Sequence, residues 1–138
     1  MKIVLAPMLL NWKEFATGCP DIDQQHRDII ELINELYTAR FSGDREMIKG
    51  ILTALIQPTL NHFAHEELLM ERIYYPDAEA HIIEHEKLKS DSLEYIKRFD
   101  DGEDIAAELQ AFLFDWLVLH IRCSDRKIID FYQSTLHS

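Results

Sequence analysis

Residues 48–73 read IKGILTALIQPTLNHFAHEELLMERI. Inward candidates recur at Ile48, Leu52, Leu55, Thr59, His62, Glu66, Leu69 and Ile73. The steps alternate between four and three, the seam of an amphipathic helix packed in a bundle. A half-buried strand would alternate at every second residue instead. Two members of the stripe, His62 and Glu66, are foreign to an apolar seam. They stand one helical turn apart, so both point at one spot. Pro58 lies inside the stretch. It lacks a backbone donor and clashes with the carbonyl four residues back, so a kink is expected near Ala54.

The flanking segments carry the same period. Upstream, a helix from about Asp23 to Arg40 lines up His26, Ile29, Ile30, Ile33, Leu36 and Tyr37, and Ser42-Gly43 stops it. The central helix spans about Asp44 to Ile73. Downstream of Tyr75-Pro76, a third runs from about Asp77 to Phe99 with His81, His85, Leu88, Ser92, Tyr95 and Phe99 on one stripe. The turn Asp100-Asp101-Gly102 ends it. A fourth, from about Glu103 to Ile121, turns Ile105, Leu109, Phe112, Trp116 and His120 inward. Short connections between long helices make neighbours antiparallel. The expected fold is all-α: an antiparallel up-down-up-down four-helix bundle over 23–121. A loop arm over 1–22 precedes it, pinned by Trp12 and Phe15, and a short C-terminal helix over 125–136 follows it. The whole of 1–138 reads as a single domain.

Composition agrees. Of 138 residues, 47% are hydrophobic and 28% charged, and Gly and Pro number four each, too few for a turn-rich β fold. A formal net charge of −11 repels phosphate backbones and anionic lipid, which argues against nucleic-acid and membrane-surface roles. The apolar start MKIVLAPMLLNW is interrupted by Pro7 and has no small-residue cleavage site, so it is a poor signal peptide. With that reading, Cys19 and Cys123 are expected to be reduced thiols in a cytoplasmic protein.

The four inward stripes together carry His26, His62 with Glu66, His81 with His85, and His120, with Asp125 just beyond. Burying each polar group without a partner costs roughly 1–3 kcal/mol, and an unpaired carboxylate costs more. A metal satisfies them together, because neutral imidazoles and carboxylates are its ligands. Seven such groups exceed what one ion takes, so two ions sharing carboxylates fit better. Iron suits the set, with zinc, manganese and copper as alternatives. On a regular helix Asp125 would point about 140° away from His120. Both face one site only if the helix ends or bulges between them. Ser124 as the N-cap of a new helix would achieve this.

The segments IDQQH (22–26), HFAHEELLM (62–70), HIIEH (81–85) and WLVLHIRCSD (116–125) resemble the motifs of the hemerythrin family, specifically its bacterial single-domain members. The resemblance runs from about Trp12 to Asp130. It implies two iron ions, cycling between Fe2+ and Fe3+, with an oxo or hydroxo bridge and dioxygen as ligand. His81, His85 and His120 would hold one iron. His26 and His62 would hold the other, with one position open. Glu66 and Asp125 would bridge the pair. Phe63, Trp116, Leu117 and Ile121 match the positions that line the oxygen pocket.

The implied function is reversible dioxygen binding for transport, storage or delivery. An oxygen or redox sensing module is an alternative. So is a di-iron oxidase, peroxidase or nitric-oxide-reducing enzyme, and a protein client is compatible with any of these. Five imidazoles against two carboxylates make a centre less inclined to drive O–O cleavage than the carboxylate-rich bundles with Glu-x-x-His pairs. Around the set, His65 is expected to be peripheral, Glu67 and Glu71 to face solvent, Met70 to be core, and His137 to lie in a frayed tail. Cys123 is expected either to pack or to approach the cluster.

Overall fold

The computed structural model describes residues 11–136, with residues 117 and 118 described in their backbone alone. The expectations for 1–10 and for His137 fall outside the described residues.

A single 3₁₀ turn, Trp12–Phe15, opens on Asn11, whose Oδ1 accepts from the Lys13 N–H at 3.1 Å. Phe15 is buried in the core, Trp12 packs on it, and the Arg27 guanidinium lies 4.8 Å from the Trp12 ring. The two aromatics thus pin the arm. Helix α1 is Pro20–Ala39, three residues longer at its start than the sequence pattern predicts. Proline is well suited to the first turn, where its missing N–H has no partner to lose. Asp23 does not open the helix but ties the arm to it. Its carboxylate accepts from the Thr17 N–H at 2.8 Å, the Thr17 hydroxyl at 2.7 Å and the Gly18 N–H at 3.1 Å. Gly18 holds φ at 88°, where a side chain would be strained.

Helix α2 is Arg45–Arg72, capped by Asp44, which accepts from the N–H groups of Glu46 and Met47. It runs through Pro58 as one element. The carbonyl that proline leaves without a donor belongs to Ala54, which is exposed and open to water. Helix α3 is Ala78–Asp100 and α4 is Ala106–Trp116. The chain does not stop at residue 121. It continues as a π-helix over Leu117–Asp125 and then as α5, Arg126–Leu136. Ser124 is therefore no N-cap, and the C-terminal helix is an extension of α4 rather than a separate one.

Helix α1 packs on α2 and α4, and α3 packs on α2 and α4, which closes an antiparallel four-helix ring. The main core holds Ile29, Ile30, Ile33, Leu36, Leu52, Leu55, Phe63, Leu109 and Trp116. A smaller cluster holds Met70, Tyr75 and Ile128. Along α2, the first cluster ends at Phe63 and the second begins at Leu69, with Glu66 between them. Among the described residues no helix is long and apolar enough to cross a membrane.

Candidate metal centre

Each helix delivers its polar residues into this gap by simple periodicity. His62 and Glu66 on α2, and His81 and His85 on α3, are i, i+4 pairs on one face. His26 comes from α1. His120 and Asp125 come from the π-helix. A π-helix pairs residue i with i+5, so residues five apart return to one face. The bulge therefore does what Ser124 as a cap was expected to do. All seven side chains are at most 5% exposed.

Their donor atoms fall into two groups, each with all atoms within 4.8 Å of one another. One contains His81, His85, His120, Glu66 and Asp125. The other contains His26, His62, Glu66 and Asp125. Both carboxylates belong to both groups. The Nε2 atoms of His85 and His120 are 3.2 Å apart, and so are those of His26 and His62. Glu66 Oε1 lies 3.1 Å from His85 Nε2 and 3.3 Å from His81 Nε2. Asp125 Oδ1 lies 2.8 Å from His120 Nε2, and Oδ2 lies 2.9 Å from His26 Nε2 and 3.0 Å from His62 Nε2.

The outer ring nitrogens decide what these close approaches mean. His62 Nδ1 donates to the Gln25 side-chain oxygen at 2.9 Å. His120 Nδ1 donates to Glu84 at 2.7 Å, and His85 Nδ1 donates to Glu67 at 3.3 Å. A neutral imidazole has one N–H, and in these three it is spent outward. Neutral His85 and His120 would then face each other with lone pairs at 3.2 Å. A proton or a metal cation between such acceptors removes the repulsion. The donor set thus fits a pair of cations, and the outward hydrogen bonds are those that metal-ligating imidazoles need.

The same two carboxylates favour protons on the imidazoles they face. Burial lowers the His120 pKa, but Asp125, Glu66 and Glu84 outweigh it and push it up to about 12. Burial opposes charge on His81 as well, and Asp125 with Glu66 raises it to about 9. His62 is raised against its burial by Glu66 and Asp125. Burial and the Asp125 charge work to raise Glu66, yet His62, His120 and His81 hold it at about 2. Asp125 lies well below the carboxylate range, because His120, His26 and His62 overcome its burial.

All seven sequence-derived ligand candidates converge. Of the oxygen-pocket candidates, Phe63 stacks on His85 with ring centroids 4.0 Å apart, and Trp116 stacks on His120 at 5.8 Å. Ile121 is buried, and the side chain of Leu117 lies outside the described residues. His65 belongs to neither donor group but is bound. Its Nδ1 accepts from the Gln25 amide at 2.6 Å.

Glu67 corrects the expectation of a solvent-facing residue, since it serves His85, while Glu71 is exposed as expected. Cys123 does not pack: it is exposed, and it belongs to neither donor group. Gln25, Glu67 and Glu84, which accept from the outer nitrogens of His62, His85 and His120, carry no mark in the sequence pattern. Each sits beside a candidate ligand in sequence yet serves a histidine on the following helix.

The family model for the hemerythrin HHE cation binding domain matches residues 17–132. A bacteriohemerythrin of Stenotrophomonas maltophilia is 42% identical over 123 residues, 88% of this chain and 80% of that protein. A bacteriohemerythrin of Methylococcus capsulatus is 36% identical over 86% of this chain and 92% of its own length. The crystal structure of wild-type hemerythrin superposes with a TM-score of 0.78 at 34% identity, covering 88% of this chain and 94% of that one. A leucine-to-alanine variant of hemerythrin gives a TM-score of 0.82 at 32% identity, covering 92% and 98%.

Proposed function

Because the chain belongs to the hemerythrin family, we propose that it binds dioxygen reversibly at a non-haem di-iron centre, as a carrier, store or delivery protein. The observation that carries this is the pair of donor groups with two shared carboxylates, one holding three imidazoles and the other two. His81, His85 and His120 are assigned to one iron, and His26 and His62 to the other, with Glu66 and Asp125 bridging. The side with one imidazole fewer is where dioxygen has room. A bound ferrous pair, with its oxo or hydroxo bridge, supplies the electrons that dioxygen takes up and returns. The whole of 1–138 acts as one domain in this reading.

The protein's own part is to hold and to exclude. Gln25, Glu67 and Glu84 fix three imidazoles with Nε2 turned inward. Phe63, Trp116 and Ile121 are buried and none of them carries an acid or base, so these three walls offer dioxygen no proton for further reduction. That favours carriage over oxidase, peroxidase or nitric-oxide-reducing chemistry. The exposed thiol of Cys123 suits a reducing cytoplasm.

The test is anaerobic reconstitution with ferrous iron, followed by metal analysis and optical spectra before oxygen, after oxygen and after its removal. Two irons per chain and a spectrum that appears and bleaches in step with oxygen are expected. A chain that takes up far less than two irons would end the reading, and so would a spectrum that decays with steady oxygen consumption.

A further inference from the structure

On the side of Phe63 and Trp116 away from the metal groups, the bundle contains a cavity of about 180 Å³ between α2, α3 and α4. Leu52, Leu55, Leu88, Ile96, Leu109 and Leu113 line it together with Phe63 and Trp116. At its rim stand Ile56, Leu60 and Leu93, which are 40%, 39% and 62% exposed. The cavity therefore has a greasy mouth and an inner wall shared with the histidine cluster.

We propose that this cavity is a binding site for a small uncharged apolar molecule no larger than one benzene ring, which rests against Phe63 and Trp116 and so bears on His85 and His120. Size comes first. Apolar cavities of about 150 Å³ stay dry and bind benzene or xenon. Charge comes second. Among the described wall residues Lys89 alone is charged, and it is already committed: its ammonium lies 3.0 Å from Glu86 Oε1 and 5.9 Å from the Phe63 ring centroid. An anionic head group would have to compete for it. Thr59 and Ser92 are the other polar wall residues, too few to hold a water cluster.

Coupling follows from contact. Phe63 is fully buried and lies nearly parallel to His85, with 16° between the ring planes. A close-packed wall transmits a push rather than absorbing it. The coupling rests on the iron reading above; the binding does not.

The test is calorimetric titration of the iron-loaded protein with benzene, repeated on Ser92→Phe, which places a ring inside the cavity, and on Leu60→Trp at the rim. Saturable uptake of one benzene per chain is expected, weakened about ten-fold or more by Ser92→Phe at unchanged iron content. No saturable uptake, or equal affinity in the parent and both variants, overturns the site. The visible spectrum of the oxygenated protein is expected to shift on benzene saturation in the parent and not in Ser92→Phe. Uptake without that shift overturns the coupling alone. A chain that binds benzene yet holds no iron pair supports the site while refuting the di-iron reading.

Discussion

Oε1 of Glu84 lies 2.7 Å from Nδ1 of His120, although Glu84 belongs to α3, immediately before His85, and His120 to the π-helix. The Ser124 hydroxyl donates to both oxygens of the same carboxylate, at 2.9 and 3.0 Å. Burial works to raise the Glu84 pKa, but these hydrogen bonds and the His120 charge keep it below the usual carboxylate value. Glu84 thus positions His120 and locks the π-helix to α3 with one side chain.

Glu84→Ala is expected to weaken metal binding about ten- to a hundred-fold, the usual loss when the acceptor behind a ligating imidazole is removed. Glu84→Gln, which keeps an acceptor oxygen, should recover part of it. Competitive titration against a chromophoric chelator reads both. Equal affinity in the parent and Glu84→Ala would refute the positioning role.

Gln25 fixes His62 and is held in turn by His65. Gln25→Leu removes the acceptor of the His62 Nδ1–H and should loosen the metal on the two-histidine side first. The expected result is biphasic removal by chelator, with one metal lost about ten-fold faster. A uniform rate for both metals would contradict the assignment of His62.

Metal uptake must displace protons from His81 and His120, whose pKa values of about 9 and about 12 keep both charged at neutral pH. Calorimetry in buffers of differing ionisation enthalpy should show at least two protons released per loaded chain. The sign for the metal-free protein follows from the same groups. His81 is raised from 6.5 to about 9, so its contribution is whole below 6.5 and disappears as pH rises through about 9. Glu66 is lowered from 4.5 to about 2, so its contribution is whole above 4.5 and disappears as pH falls toward about 2. Metal-free protein should melt highest between 4.5 and 6.5 and lose Tm on the alkaline side, while loaded protein should not. Parallel Tm curves for the two forms would count against this.

Deleting Cys123, an exposed residue inside the π-helix, leaves His120 and the aspartate four apart, which an ordinary α-helix also places on one face. Iron content should stay near two per chain. Deleting Arg122 together with Cys123 turns all of α5 about 100° out of phase with the bundle, and the pair should fail to form. Iron analysis of the two deletions decides between them.

How much of this was readable in advance depends on distance along the chain. His62 with Glu66, and His81 with His85, were legible because one helical turn brings them together whatever surrounds them. Asp125 was legible only conditionally. No residue type marks a change from i+4 to i+5 pairing, so the π-helix and a Ser124 cap were equally good answers. Pro20 as helix start is not marked by the stripe, which begins at His26, and the bonds of Asp23 to Thr17 and Gly18 appear only in the fold. Gln25, Glu67 and Glu84 were hidden for a deeper reason. Which neighbour a side-chain acceptor meets depends on how helices cross, and periodicity carries no information about crossing.

Gln25 on α1 serves His62 on α2, Glu67 on α2 serves His85 on α3, and Glu84 on α3 serves His120 beyond α4. Helices α2 and α3 are therefore both customer and supplier, in a relay that follows the order of the chain. A slip of either one along its axis would break two links at once, its own and its successor's. The helices are thus held in register by hydrogen bonds that do not pass through any cation.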